Sequence, residues 1–121
     1  MIRCGTDIIE ISRIKIAIET NDKFIDRIFT DSEILYSESK KSQKYESYAA
    51  RFAAKEAIYK ALSKYINFEY TWKDFEILND EKGKPFVKLN FKIDYLEDLE
   101  ISLSHCKEYA VANVVAIYKE N

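Results

Sequence analysis

Three features of the chain predict an α+β fold. The opening stretch, MIRCGTDIIEI, is rich in β-branched residues and reads as a strand. The middle carries helical signals, ending in a long segment from about Tyr45 to about Tyr65. Beyond it the apolar period falls to two, and four more strand-like segments follow. A strand, then helices, then strands implies an antiparallel sheet packed against one long and several short helices.

Each element has its own signal. Ser12 can cap a short helix through about Thr20, and Asp22 another through about Phe29. Thr30 and Glu33 stand in capping-box spacing ahead of Ile34, Leu35 and Tyr36. DFEIL and PFVKLNF flank NDEKGK, where Gly83 supplies the positive φ of a hairpin turn. EISLSH and YAVANVVAIY are the last two strands. Both alternating faces of the final one are apolar, so it is expected to be covered on both sides, by its own fold or by a neighbouring subunit.

Composition narrows the classes. At 121 residues, with 47% hydrophobic and 33% charged residues, residues 1–121 suit one domain with its own core. A net charge of −2 offers no general affinity for nucleic acid or for a membrane surface. Arg3, Asp7 and Glu10 interrupt the N-terminal stretch where a signal peptide needs an apolar run, and no segment has the length to span a bilayer. Cys4 and Cys106 have no metal-ligand spacing and read as reduced thiols of a cytoplasmic protein, with a disulfide between them the alternative.

The long helix contains the chemistry-bearing segment RFAAKEAIYKAL, residues 51–62. At 100° per residue, Ala53, Ala54, Ala57, Ile58 and Ala61 form one face whose small side chains permit close packing. Arg51 and Lys55 lie on a second edge, and Glu56 and Lys60 share a third. The last two are spaced for an ordinary exposed helical ion pair. Between Lys40 and Lys64 the net charge is +5, which suits an anionic ligand such as a phosphate, or simply a solvated face. Asp7 near a strand end is either a turn acid or a carboxylate projecting into a cleft. His105 is the only histidine, so a multi-histidine site is impossible. Two carboxylates would instead suit Mg²⁺ shared with a phosphate ligand.

Taken together, GTDIIEISRI (5–14), RFAAKEAIYKAL (51–62) and SLSHCKEYAVA (102–112) closely resemble the three motifs of the bacterial holo-acyl-carrier-protein synthases. These are the short, trimeric class of 4'-phosphopantetheinyl transferases. The resemblance implies that transferase fold and transfer of phosphopantetheine from coenzyme A to a serine of apo acyl carrier protein, supporting fatty acid biosynthesis. By motif, Asp7 and Glu56 correspond to the Mg²⁺ ligands and Lys60 to the phosphate-binding lysine, with Glu56 and Lys60 catalytic. Arg51, Lys60, Ser104 and His105 match coenzyme-binding positions. Glu56 or a metal-bound water would deprotonate the serine. The helix that docks the carrier protein would include Arg13 and Lys15. A homotrimer with sites at its interfaces is likewise implied, and site residues need not all come from one chain.

Two departures from the family stand out. The Gly-rich turn that usually follows the helix is replaced by SKYINFE, leaving Lys64 as a substitute point charge. The docking helix is also less basic than usual. A non-catalytic coenzyme A-binding module and a purely structural trimer are the competing classes.

Overall fold

The computed structural model describes residues 1–119; Glu120 and Asn121, the end of the expected 1–121 domain, lie outside the described residues. Strand β1 (Ile2–Glu10) leads directly into α1 (Ile11–Thr20), followed by α2 (Phe24–Ile28), α3 (Asp31–Ser39) and the long α4 (Lys44–Leu62). Then come β2 (Phe75–Asn79), β3 (Pro85–Leu89), β4 (Leu96–His105) and β5 (Tyr109–Tyr118). The strands form two antiparallel sheets, one of order β1-β5-β4 and a separate β2-β3 hairpin. Gly83 turns that hairpin at φ 83°, a conformation open to a residue without a Cβ.

The core forms where α4 lies on the three-stranded sheet. Ala53, Ala54, Ala57 and Ala61 face inward from the helix, and Ala112, Val114 and Ala116 from β5. Small residues on both surfaces bring helix and sheet close together. Ile77, Phe75 and Ile101 close the sides. A second cluster under α1 and α2 contains Ile11, Ile14, Phe29 and Tyr48.

Helix starts differ in detail from expectation. Thr30 and Glu33 form the predicted capping box at α3. Ser12, however, lies inside α1, whose first turn is held by the Ile11 N–H donating to the Glu108 carbonyl at 2.9 Å. A backbone acceptor from the β4–β5 turn thus replaces a side-chain cap. At α2 it is the Asn21 side chain, not Asp22, that accepts from the Lys23 N–H at 3.0 Å. Helix α4 ends at Leu62 and continues as a 3₁₀ turn, Ser63–Tyr65.

Strand β5 is covered by its own fold on one face only. Ala110, Ala112, Val114, Ala116 and Tyr118 are buried, whereas Tyr109, Asn113 and Val115 are exposed. Next to them on β1, Ile2 and Ile8 are 61% and 63% exposed. Cys4 and Cys106 are both free and exposed.

Candidate active site

Asp7, Glu56 and Lys60 converge where β1 crosses α4. The Lys60 ammonium donates to the Thr6 carbonyl at 2.8 Å and to Asp7 Oδ1 at 3.3 Å. The helical spacing of Glu56 and Lys60 suggested an ion pair between them, but Lys60 reaches across to the strand instead. The sheet lies close enough to offer both a carbonyl and a carboxylate, which together outcompete the one helical acid. Glu56 is half-buried beside them. Its carboxyl is raised above the ordinary value by burial and by the Asp7 charge, with Lys60 acting in the opposite sense. Two acids close enough to oppose each other's ionisation, with one ammonium in reach, leave room for further positive charge. A pair of oxygen donors fits Mg²⁺, which keeps waters and takes substrate phosphate oxygens to complete its shell. Among the described residues no group of three or more metal-ligating side chains occurs, so such an ion would rely on those added oxygens.

Beside Glu56 opens a cleft of about 290 Å³ lined by Glu56, Tyr59, Tyr70, Trp72 and Phe75. Trp72 stacks on Phe52 at 5.1 Å. The position of Thr71 is set by a capping box with Asp74. These aromatic walls were not singled out from the sequence. Tyr59, one turn beyond Glu56, was the local signal for them, but the TWKD turn that brings Tyr70 and Trp72 alongside is a tertiary matter.

Arg51 lies five residues before Glu56, which turns it about 140° around the helix. It lines a second cleft, of about 330 Å³, together with Tyr36, Lys40, Gly83 and His105. Its guanidinium sits 4.1 Å from the centre of the Tyr36 ring and donates to Ser47 and Asn79. Arg51 is only 3% exposed, yet its Nε has no partner. Burial lowers its pKa, while Tyr36 and Glu33 oppose that shift. A rigid, partly unsatisfied guanidinium in a cleft is suited to an anion.

Ser104 and His105 part company. Alternate strand residues point to opposite faces, so His105 joins Arg51 while Ser104 is exposed on the outer sheet face near Val111. One chain therefore holds an acid–lysine cluster, an arginine–histidine cleft, and Ser104 apart from both.

Lys55 does not contribute to a solvated cationic edge. It is fully buried, and its ammonium donates to Glu33 Oε1 at 2.7 Å, the Ile28 carbonyl at 2.8 Å and the Trp72 carbonyl at 3.0 Å. Burial lowers its pKa, and Glu33 pulls the other way. Arg13 and Lys15 are exposed on α1, where Ile16 is 58% exposed between them and the chain's next turn. In the SKYINFE segment Tyr65 packs on Tyr118 with ring centres 4.0 Å apart, and Lys64 stays exposed.

Residues 3–114 match the family model described as the 4'-phosphopantetheinyl transferase superfamily. The holo-[acyl-carrier-protein] synthase of Ruminiclostridium cellulolyticum is 50% identical over 118 residues, covering 92% of this chain and 88% of that one. The enzyme of the same name from Chloroherpeton thalassium is 50% identical over 114 residues, covering 92% and 93%. Among solved structures, the Bacillus anthracis holo-(acyl-carrier-protein) synthase in complex with CoA (3',5'-ADP) superposes with a TM-score of 0.79 at 39% identity, covering 97% of this chain and 96% of that one. The Helicobacter pylori enzyme in complex with coenzyme A gives 0.79 at 36% identity, covering 93% and 98%. By sequence and by fold, this chain belongs to the 4'-phosphopantetheinyl transferase superfamily, among the holo-[acyl-carrier-protein] synthases.

Proposed function

We propose that this chain transfers 4'-phosphopantetheine from coenzyme A to a serine of apo acyl carrier protein, with Mg²⁺ held by Asp7 and Glu56. The observation that carries the reading is the convergence of Asp7, Glu56 and Lys60 from a strand and a helix, in a chain 50% identical to holo-[acyl-carrier-protein] synthases.

The reaction forms a bond between the serine oxygen and the phosphorus that carries pantetheine. It breaks that phosphorus's bond to the bridging oxygen, which leaves with adenosine 3',5'-bisphosphate. Catalysis of such a transfer rests on positioning and on charge stabilisation. When bound, Mg²⁺ supplies positive charge to the pyrophosphate oxygens. Lys60, held at the strand by Thr6 and Asp7, places its ammonium against the same anion. Glu56 supplies a carboxylate oxygen to take up the serine proton. Arg51 and His105 bind the adenosine end through its phosphates.

A homotrimer accounts for two further features. The outer face of β1 and β5 leaves Ile2, Ile8, Tyr109 and Val115 exposed, a surface that a second copy would bury. The arginine–histidine cleft and the acid–lysine cluster lie apart on one chain. Subunit contact would bring one chain's cleft, with a neighbour's Ser104, to another chain's cluster. Arg13, Lys15 and the exposed Ile16 form the surface offered to the acidic carrier protein. The free thiols agree with a reducing, cytoplasmic setting, and a role in fatty acid biosynthesis follows from the carrier.

The test is the intact mass of an apo acyl carrier protein after incubation with this protein, coenzyme A and Mg²⁺. A gain of one phosphopantetheine, abolished by a chelator and by Glu56→Gln, is expected. Coenzyme binding with no gain on any carrier would leave a non-catalytic binding module.

A further inference from the structure

We infer that Lys55 is a positioning residue, which sets the place of Glu56 and of the Trp72 wall through a buried polar knot. The inference rests on the reading of Glu56 as a metal ligand.

Residues 55, 56 and 57 point in three directions, 100° apart. Ala57 faces β1 so closely that a Cβ on Gly5 would stand 1.9 Å from its carbonyl oxygen. Lys55 points away from that contact, into the space bounded by α2, α3 and the Trp72–Asp74 turn. Its three ammonium protons meet three acceptors there, the Ile28 carbonyl, Glu33 Oε1 and the Trp72 carbonyl. Glu33 is equally engaged: Oε1 also accepts from the Thr30 N–H and Oε2 from the Ile77 N–H, both at 2.8 Å. Helix α4 is thus gripped on two sides, by the backbone of β1 and by the knot. Glu56 projects between the two grips.

Stability alone gives no reason for this arrangement. A buried ion pair is often no better than a well-packed apolar pair of similar volume. An ammonium differs in being directional: it specifies the distance from α4 to the Trp72 carbonyl and to the end of α2 at once. Trp72, Glu56 and Lys55 itself line the same cleft, so the knot determines how far the aromatic wall stands from the metal carboxylate. A group hydrogen-bonded directly to a metal ligand costs about 10–100-fold in metal affinity when removed. Lys55 acts one step further out, through the helix, so the lower end of that range is expected.

The test measures Mn²⁺ binding by electron paramagnetic resonance in the presence of coenzyme A, using the whole protein. Wild type, Lys55→Met, Lys55→Arg, and the double variant Lys55→Met/Glu33→Gln are compared with Ile93→Ala, a core change that removes none of the knot's hydrogen-bond partners. For Lys55→Met, or for the double variant if the single one does not fold, Mn²⁺ affinity is expected to fall about tenfold. Ile93→Ala should lower the melting temperature and leave the affinity intact, and Lys55→Arg should recover part of the loss. Unchanged affinity in a folded Lys55→Met protein with a lowered melting temperature would overturn the inference, as would failure of both the single and the double variant to fold. Absence of Mn²⁺ binding in the wild type, or its indifference to Glu56→Gln, would overturn the metal reading itself.

Discussion

Gly5 and Ala57 touch backbone to side-chain position: a Cβ at residue 5 would stand 1.9 Å from the Ala57 carbonyl oxygen and 3.1 Å from the Ala61 amide nitrogen. The absence of a side chain at Gly5 lets β1 sink onto α4. Two residues further along the strand, Asp7 then comes within reach of Lys60.

Gly5→Ala should therefore push strand and helix apart. We expect a loss of about 1–3 kcal/mol in denaturant unfolding, as for other overpacked contacts. Transfer should fall more than stability does at temperatures where the variant remains folded, because Asp7 is displaced from Glu56 and Lys60. A variant that unfolds earlier yet transfers at the wild-type rate would separate this contact from the site.

Lys60→Ala should reduce the turnover number about a hundredfold, the scale seen when one preorganised charge-stabilising donor is lost. Single-turnover kinetics with saturating coenzyme A measures it directly. Lys60→Arg, with its different shape and reach, should recover only part of the rate.

Co-refolding of two variants tests the proposed trimer and its shared site. Glu56→Gln and Arg51→Ala/His105→Ala subunits, each inactive alone, should regain transfer when unfolded together and refolded, because some interfaces then combine an intact acid–lysine cluster with an intact arginine–histidine cleft. No recovery in co-refolded material of trimeric mass would mean that each chain uses its own two clefts.

Glu33→Ala should be among the most destabilising single substitutions. It strips Lys55 of its counter-charge at a fully buried position and leaves the Ile77 and Thr30 amides without their acceptor. Breaking one side of a buried pair costs about 3–5 kcal/mol. Urea unfolding with circular dichroism reads the effect.

Tyr118 predicts an alkaline weakness. Burial pushes its hydroxyl up to about 12, with Tyr65 adding to the shift and Arg3 opposing it. The folded value lies above the unfolded one of about 10, so its contribution is complete below that pH and is lost as pH climbs towards the folded value. Tyr118→Phe should lessen the fall in stability between about pH 10 and pH 12, measured by chemical unfolding across that range. An identical fall in both proteins would place the alkaline transition elsewhere.

Local rules account for much of what the chain announces about itself. Thr30 and Glu33 cap α3 because both partners lie within one turn, and Gly83 reverses the hairpin by its own conformational freedom. The Lys-Glu-x-x-x-Lys segment and the Gly-Thr-Asp segment were likewise legible as motifs, and with them the family. What a motif could not say was which partner each charge would take. Lys60 stood four residues from Glu56 and was free to pair with it. Only the approach of β1 offered it Asp7 and the Thr6 carbonyl. Lys55 looked like one more cation on a helix edge, and folding buried it against Glu33, 22 residues away. Ser104 and His105 are neighbours in sequence, yet strand geometry sends them to opposite faces. Periodicity and capping depend on residues a few positions apart, so the sequence by itself determined the elements and their order. Pairing and burial depend on groups that meet only when those elements pack, so the tertiary structure alone decided which charges line the clefts and which hold the helix in place.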